Sequence, residues 1–210
     1  MDLINRGNLG LICSRYRQAS IMTDATPLET VEDTQLDPSV EELPSEGNLS
    51  IATEKLPHRH RRILASISIP CSVEQVWGIL TDYENLSSFI PNLTVSRRLE
   101  TDGSRTLLEQ VGSQCFLNIQ FCARVVLDMA EQFPHCIGFS MVEGDFKSFE
   151  GAWKLEQAED AEQGTRLNYE ITICPPRAIP AVLIERHLRH DLTQNLQAIR
   201  NYAIAANGAA

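Results

Sequence analysis

A regular alternation of apolar and polar positions starts at residue 61. In "RRILASISIP" (61–70), Ile63, Ala65, Ile67 and Ile69 recur with period two, which predicts a strand buried on one face. The period then lengthens. Val73, Val76, Trp77 and Leu80 fall at i, i+3, i+4 and i+7, a single helical face. Ser72, followed three residues later by Gln75, forms a capping box that starts this helix. Asp82 is placed to cap a second short helix with Leu86, Phe89 and Ile90 on one side, and Pro91 ends it.

After Asn92 the alternation returns. "LTVSRRLE", "RTLLEQVGSQ", "CFLNIQFCARVVLDMAEQF", "HCIGFSMVEG", "FKSFEGAWKLEQAE" and "TRLNYEITIC" predict six further strands, making seven. Turn residues separate them at 101–104, near Pro134, at 143–145 and at 159–164. Links this short imply an antiparallel meander. Pro175 and Pro176 close the last strand, and a long helix follows from Pro180 to about Ile204. Its stripe is Ile184, Leu188, Leu192, Leu196 and Ile199, with Asn195 the one polar member. The predicted order is β-α-α-β-β-β-β-β-β-α. This is an α+β fold in which only the C-terminal helix is long enough to cover the sheet's apolar face.

Upstream the composition changes. Thr23 to Glu54 holds nine acidic residues, no basic ones, and Pro27, Pro38 and Pro44. Too few apolar groups are present to offset the entropy of ordering. The expected organisation is a disordered acidic tail at 1–58, one domain at 59–206 and a disordered end at 207–210. The first twenty residues carry three arginines but no apolar h-region, so they read as a plain disordered terminus or a degenerate transit peptide. No window approaches the roughly 18 apolar residues of a membrane span. These features imply a cytoplasmic chain, or a plastid-stromal one if the start is a transit peptide.

Hydrophobic residues are 43% and charged residues 22%, an ordinary globular balance, and the net charge is −10. An acidic chain repels phosphate backbones, which argues against broad nucleic-acid binding. It leaves room for a local basic patch, and "HRHRR" (58–62) is the candidate. It reads as a charged strand edge that deters pairing, with a phosphate or headgroup patch as the alternative. Cysteines stand at 13, 71, 115, 122, 136 and 174 with no C-x-x-C pair and no zinc-like spacing. They read as reduced, buried thiols.

"HLRHD" (187–191) puts His187, His190 and Asp191 at i, i+3 and i+4, but off the Leu188/Leu192 stripe. It reads as a solvated face, so no metal is expected. No G-x-S-x-G elbow or similar arrangement marks a nucleophile, and no cofactor is expected. Asn118, Gln120, Arg124 and Asp128 share one face of the longest strand and read as sheet surface. If curvature turned them inward, Arg124 would need a partner such as Glu109 or Glu170.

This order of elements resembles the START-like, helix-grip superfamily, and more narrowly its polyketide cyclase/dehydrase and coenzyme Q-binding branch. Four stretches carry the likeness: "IPCSVEQVWGILTDYENLSSFIPNL" (69–93), "SFEGAWKLEQ" (148–157), "GTRLNYEITICPP" (164–176) and the proline-led terminal helix. The resemblance covers about residues 59–206. It implies a seven-stranded curved antiparallel sheet gripping the C-terminal helix around a hydrophobic cavity, with the two short helices closing one end.

On that fold the candidate ligand-binding residues are Trp77, Phe89 and Ile90 at the mouth, and Phe121, Phe149, Gly151, Trp153, Tyr169 and Ile171 on the strands. Leu188 and Leu192 join them from the helix. Phe121 shares its face with Leu117, Ile119, Ala123 and Val125. Gly151 could leave space for a ligand or permit a bend. The alternative is that all of these simply fill the core.

The expected function is binding or transport of a lipid, polyprenyl quinone or polycyclic aromatic, with transient membrane contact allowed. The rival is an aromatase/cyclase or dehydratase in which Tyr169, Arg124 and Glu170 act as acid, oxyanion partner and base. Tyr169 and Glu170, as sequence neighbours on a strand, should face opposite ways. A third reading is a protein-interaction module, since some relatives are described as acting on ribosomes. The cluster at 58–62 is the feature that leans that way.

Overall fold

The computed structural model describes residues 40–42, 48–101, 103, 105–116, 119–158, 164–177 and 179–208, without the side chains of 40–42, 114–116, 119–121 and 181. Two strands, β1 (Val40–Glu42) and β2 (Leu49–Lys55), precede a short 3-10 turn at Pro57–Arg59. Then come β3 (Arg61–Ile69), α1 (Val73–Thr81) and α2 (Leu86–Phe89). Six strands follow: β4 (Leu93–Leu99), β5 (Thr106–Phe116), β6 (Ile119–Gln132), β7 (Cys136–Gly144), β8 (Ser148–Gln157) and β9 (Thr165–Cys174). The helix α3 (Ala181–Gly208) completes the order.

All strands join one antiparallel sheet in the order β1-β2-β3-β9-β8-β7-β6-β5-β4. From β4 to β9 it is the predicted meander, and β9 closes onto β3 from Arg61↔Ile173 to Ile69↔Thr165. Irregular register between Leu93 and Val95, and between Val126 and Leu127, breaks the ladder there. Bulges of this kind bend a strand and increase its twist, which gives the sheet the concave inner face of a helix-grip fold. The odd positions of β3 and β9 point inward: Ile63, Ala65 and Ile67 pair with Ile171, Tyr169 and Leu167, and Ile69 and Ile173 extend the same face, all buried. Each fully buried aliphatic side chain here contributes on the order of 1.5–3 kcal/mol.

Helix α1 starts as predicted. Gln75 N–H donates to Ser72 Oγ and Ser72 N–H donates to Gln75 Oε1, a reciprocal capping box contributing about 1 kcal/mol. Its buried face is Val73, Val76, Trp77 and Leu80.

Several expectations need correction. Among the described residues the sheet has nine strands rather than seven, and order begins before residue 58. The "LSIATEK" segment pairs along β3 from Leu49↔Ile67 to Lys55↔Arg61, with Ile51 and Thr53 buried. A short alternating segment is hard to see inside an acidic window until its partner strand is known. Residues 1–39 and 43–47 of the proposed tail lie outside the described residues. Strand β3 is therefore internal, so 58–62 is not an exposed edge. Asp82 ends α1 instead of capping α2, whose N-cap is Asn85. The longest predicted strand divides, with Cys115 and Phe116 in β5 and Phe116 paired to Ile119. No glycine or proline marks that reversal. Helix α3 continues to Gly208, and Gln75 Nε2 donates to Asn207 Oδ1 (2.9 Å), so 207–208 are helical. Cys71 and Cys174 are buried free thiols and Cys122 an exposed one, but Cys136 is disulfide-bonded. Disulfides depend on proximity in space, which spacing along the chain does not reveal.

One contact seats the C-terminal helix at its start. Arg61 Nε donates to Glu185 Oε2 at 2.8 Å, with side-chain exposures of only 12% and 8%. Removing one member leaves a charge buried without its partner, which costs about 3–5 kcal/mol, whereas an apolar pair of similar size is often neutral. Arg61→Ala should therefore lose about 3–5 kcal/mol in chemical denaturation, and Arg61→Met combined with Glu185→Leu should recover most of it. Equal losses in the single and double variants would show that the ion pair is not the origin of the effect.

Candidate ligand cavity

Between the concave sheet and α3 lie two adjoining voids of about 180 and 460 Å3. The smaller sits toward the short helices, bounded by Leu80, Tyr83, Leu86, Ile90 and Pro91 and by Leu127, Met129, Ile137, Phe139 and Trp153 of the sheet. The larger runs toward the start of α3. Its walls include Ala123, Val125 and Ile171 of the sheet, and Ile179, Pro180, Leu183, Ile184, Leu188 and Leu192 of the helix side. Leu93, Gln110, Gly112, Phe149, Tyr169, Asp191 and Asn195 line both. These shared residues form a waist, and most of the cavity's polar side chains gather there. Mostly apolar walls with a few polar groups at one level suit a small hydrophobic molecule carrying one polar function.

Gln110, Tyr169 and Asn195 are placed at the waist by defined contacts. Asn195, with its amide in the orientation that satisfies both neighbours, donates to the carbonyls of Asp191 and Pro91 at 3.2 Å each. It thereby ties the end of α2 to the middle of α3. Gln110 Nε2 donates to Ser96 Oγ at 3.4 Å, and Ser96 Oγ donates in turn to the Tyr83 carbonyl at 2.6 Å. The Tyr169 ring stacks on Trp153 with centroids 3.8 Å apart, and no described residue hydrogen-bonds its hydroxyl. Burial pushes the Tyr169 phenol well above the ordinary tyrosine range. Tyr83 is pushed the same way, first by burial and then by Glu131, whose carboxylate accepts from its hydroxyl at 2.8 Å. Both are neutral phenols at neutral pH.

The predicted ligand residues separate into two groups. Ile90, Phe149, Trp153, Tyr169, Ile171, Leu188 and Leu192 line the voids. Trp77 instead packs in the core, edge-on to Phe133 at 5.5 Å, and Phe89 stacks on Tyr202 of α3 at 4.1 Å. These two close the small-helix end without bordering the voids. Gly151 leaves no space for a ligand. A Cβ there would overlap the Glu170 carbonyl oxygen and lie 2.6 Å from Phe139 Cζ, so its missing side chain admits the Phe139 ring. The Phe121 side chain, like Leu117 and Asn118, lies outside the described residues.

The proposed acid, oxyanion partner and base do not converge. Tyr169 faces the cavity, but Arg124 and Glu170 occupy the outer face. There Arg124 pairs with Glu109 and Glu143 (2.6 Å each) and Glu170 with Arg62 (2.6 Å). The two hydrogen bonds from Arg124 and Arg97 hold the Glu109 carboxyl below the usual range. The face carrying Arg124 and Asp128 is the outer one, and Asp128 accepts from Arg105.

Sequence reasoning missed Asp191 and His187. They line the larger void rather than a solvated face, and with Asn195 they form an i, i+4, i+8 row beside the leucine stripe. Among the described residues no group of three or more His, Cys, Asp or Glu is arranged to hold a metal, and no helix is long and apolar enough to cross a membrane.

Comparison with known proteins agrees with this architecture. A family model described as polyketide cyclase/dehydrase and lipid transport matches residues 69–200. No curated protein sequence matches the chain. Among solved structures, human StAR-related lipid transfer protein 5 superposes with a TM-score of 0.66 at 8% identity, covering 96% of this chain and 97% of that one. A fragment of the STAR-related lipid transfer protein from Xanthomonas axonopodis gives 0.64 at 12% identity, over 79% and 98%. The Zhui aromatase/cyclase of a Streptomyces species gives 0.59 at 12% identity, over 69% and 93%. Likenesses at such low identity establish the fold alone. The match across 69–200, spanning both short helices, the strands from β4 to β9 and most of α3, places the chain in the polyketide cyclase/dehydrase and lipid transport family.

Proposed function

We propose that the protein binds and carries a hydrophobic small molecule, a lipid, polyprenyl quinone or polycyclic aromatic, in the two-chambered cavity. The observation that carries this reading is the 460 Å3 void walled mainly by aliphatic and aromatic side chains beneath α3. Volumes of roughly 300–1,000 Å3 are usual for small-molecule pockets. The polar waist supplies the one level at which a carbonyl, hydroxyl or ring oxygen would be recognised, with the Tyr169 hydroxyl and Gln110 as its partners. Structural neighbours whose names record lipid transfer support the same reading, and transient contact with a membrane would serve loading and release.

A catalytic reading rests on a different observation. Asp191 and Tyr169 both line the waist, a carboxyl and a neutral phenol bordering one space. Proton transfer in a cyclase or dehydratase would then use these two groups, not Tyr169 with Arg124 and Glu170. A carrier returns its ligand unchanged and an enzyme converts it.

Organic extraction of the purified chain followed by mass spectrometry should release an apolar compound. Leu188→Trp, which fills the larger void, should lower its recovery at least about tenfold, since a tenfold change corresponds to only ~1.4 kcal/mol of binding. Its thermal unfolding should remain cooperative. An empty extract from the unaltered chain, together with failure to take up lipids or quinones from solution, would sink the carrier reading.

The buried phenols add a pH dependence. An unfolded tyrosine ionises near 10, whereas folded Tyr83 and Tyr169 both hold their protons beyond that. Above pH 10 the unfolded state therefore binds fewer protons, so stability is intact below this pH and falls as pH rises through it. Absorbance at the tyrosinate band should show two phenols titrating only together with unfolding. Reversible titration of all four tyrosines near 10 in the folded chain would contradict their burial.

A further inference from the structure

The cluster at 58–62 splits into two halves. Arg61 is neutralised by Glu185, and Arg62 by Glu54 and Glu170. His58, Arg59 and His60 instead line a separate pocket of about 470 Å3 at the end of the sheet, completed by Lys147, Ser148, Cys174, Pro175 and Arg177. None of these lining residues is acidic. The Arg59 guanidinium donates to the carbonyls of Ile179 (2.7 Å), Arg177 (3.4 Å) and Pro176 (3.5 Å). Those contacts orient it and leave its positive charge uncancelled. The side chains of Lys147 and Arg177 pair with no described residue.

Three full positive charges thus border one pocket in a chain whose net charge is −10. Two imidazoles and the Ser148 hydroxyl add further polar atoms, with Ser148 Oγ 3.3 Å from His60 Nε2. Backbone φ values of +56° at His58 and +69° at Arg59 place consecutive non-glycine residues in the left-handed region, which such residues seldom occupy without a local reason. That turn is what brings Arg59 against the 176–179 loop.

We propose that this pocket is an anion site for a phosphate-type group, a phosphomonoester or phosphodiester, held by Arg59, Lys147 and Arg177. A guanidinium engages two phosphate oxygens at once and an ammonium adds a point charge. The pocket shares no lining residue with the cavity under α3, so the site stands or falls independently of what that cavity holds. The same chemistry is offered by a free phosphate compound and by the headgroup of an anionic phospholipid.

The full chain is titrated with inorganic phosphate by calorimetry. It is also sedimented with vesicles of phosphatidylcholine alone and of phosphatidylcholine containing phosphatidic acid. Binding to phosphate identifies a soluble source, and binding only to phosphatidic-acid vesicles identifies a headgroup; either supports the site. In both cases binding should weaken with added salt. Lys147→Glu combined with Arg177→Glu should weaken it at least about tenfold, the scale of losing charge-assisted contacts. Arg166→Glu, at the opposite end of β9, should leave it unchanged. If the reversal pair does not fold, Lys147→Gln with Arg177→Gln gives the same loss without adding charge. Binding to neither probe, or an equal loss in Arg166→Glu, would overturn the proposal.

Discussion

The seating of α3 on the sheet, begun by the buried Arg61–Glu185 pair, is the constraint on which the cavity depends. Apolar burial is non-directional, and acting alone it would draw the helix down until the concave face was filled. Directional polar contacts fix the helix elsewhere. Besides Arg61–Glu185 near its start, Gln75 bonds Asn207 near its end, Arg200 Nε donates to the Ser68 carbonyl, and Asn85 Nδ2 donates to the Tyr202 hydroxyl. Asn195 spans to the Pro91 carbonyl at the middle. With both ends and the centre held, the helix bridges the curved sheet, and the voids lie beneath it.

Charge on the two faces of the sheet follows a matching logic. Outside, Arg97, Arg124 and Glu143 surround Glu109, Arg105 meets Asp128, and Arg62 meets Glu170 and Glu54. These networks pair opposite charges on the outer surface along strands β2–β7 and β9. Inside the cavity, most polar side chains gather at the waist. The bulk of the inner wall is apolar, and the part that can recognise a polar function is narrow. This division explains why residues adjacent on β9, Tyr169 and Glu170, belong to unrelated systems.

Much of this was legible in the residues. Period two in "RRILASISI", the Ser72–Gln75 capping box and the alternation of β8 and β9 each reported a local rule that the tertiary structure obeys. The waist was not legible. A helix packed flat on a sheet buries one stripe, and Asp191 lies off the Leu188/Leu192 line, so its angle reads as exposed. A helix that bridges a cavity turns the flank of that stripe inward as well. Trp77 misleads in the opposite sense. Its place on a buried face was clear, but whether a buried aromatic borders a void or packs against Phe133 depends on the turn after β6, far away in sequence. Strand β2 escaped notice because its alternation spans only a few residues beside a strongly acidic run.

The loop from Pro175 to Pro180 joins these features physically. Arg59 holds the Ile179 carbonyl at 2.7 Å, while the Ile179 and Pro180 side chains close one end of the larger void. Strand β8 and the residues leading into it divide in the same way, with Phe146 and Phe149 on the apolar void and Lys147 and Ser148 on the cationic pocket. One guanidinium therefore both lines the pocket and braces the loop that shuts the cavity. Contacts that compete for the Arg59 N–H groups necessarily weaken that brace. The fold thus places Arg59, Lys147 and Arg177 beside the boundary of its apolar interior, next to the segment that leads into the helix seated by Arg61 and Glu185.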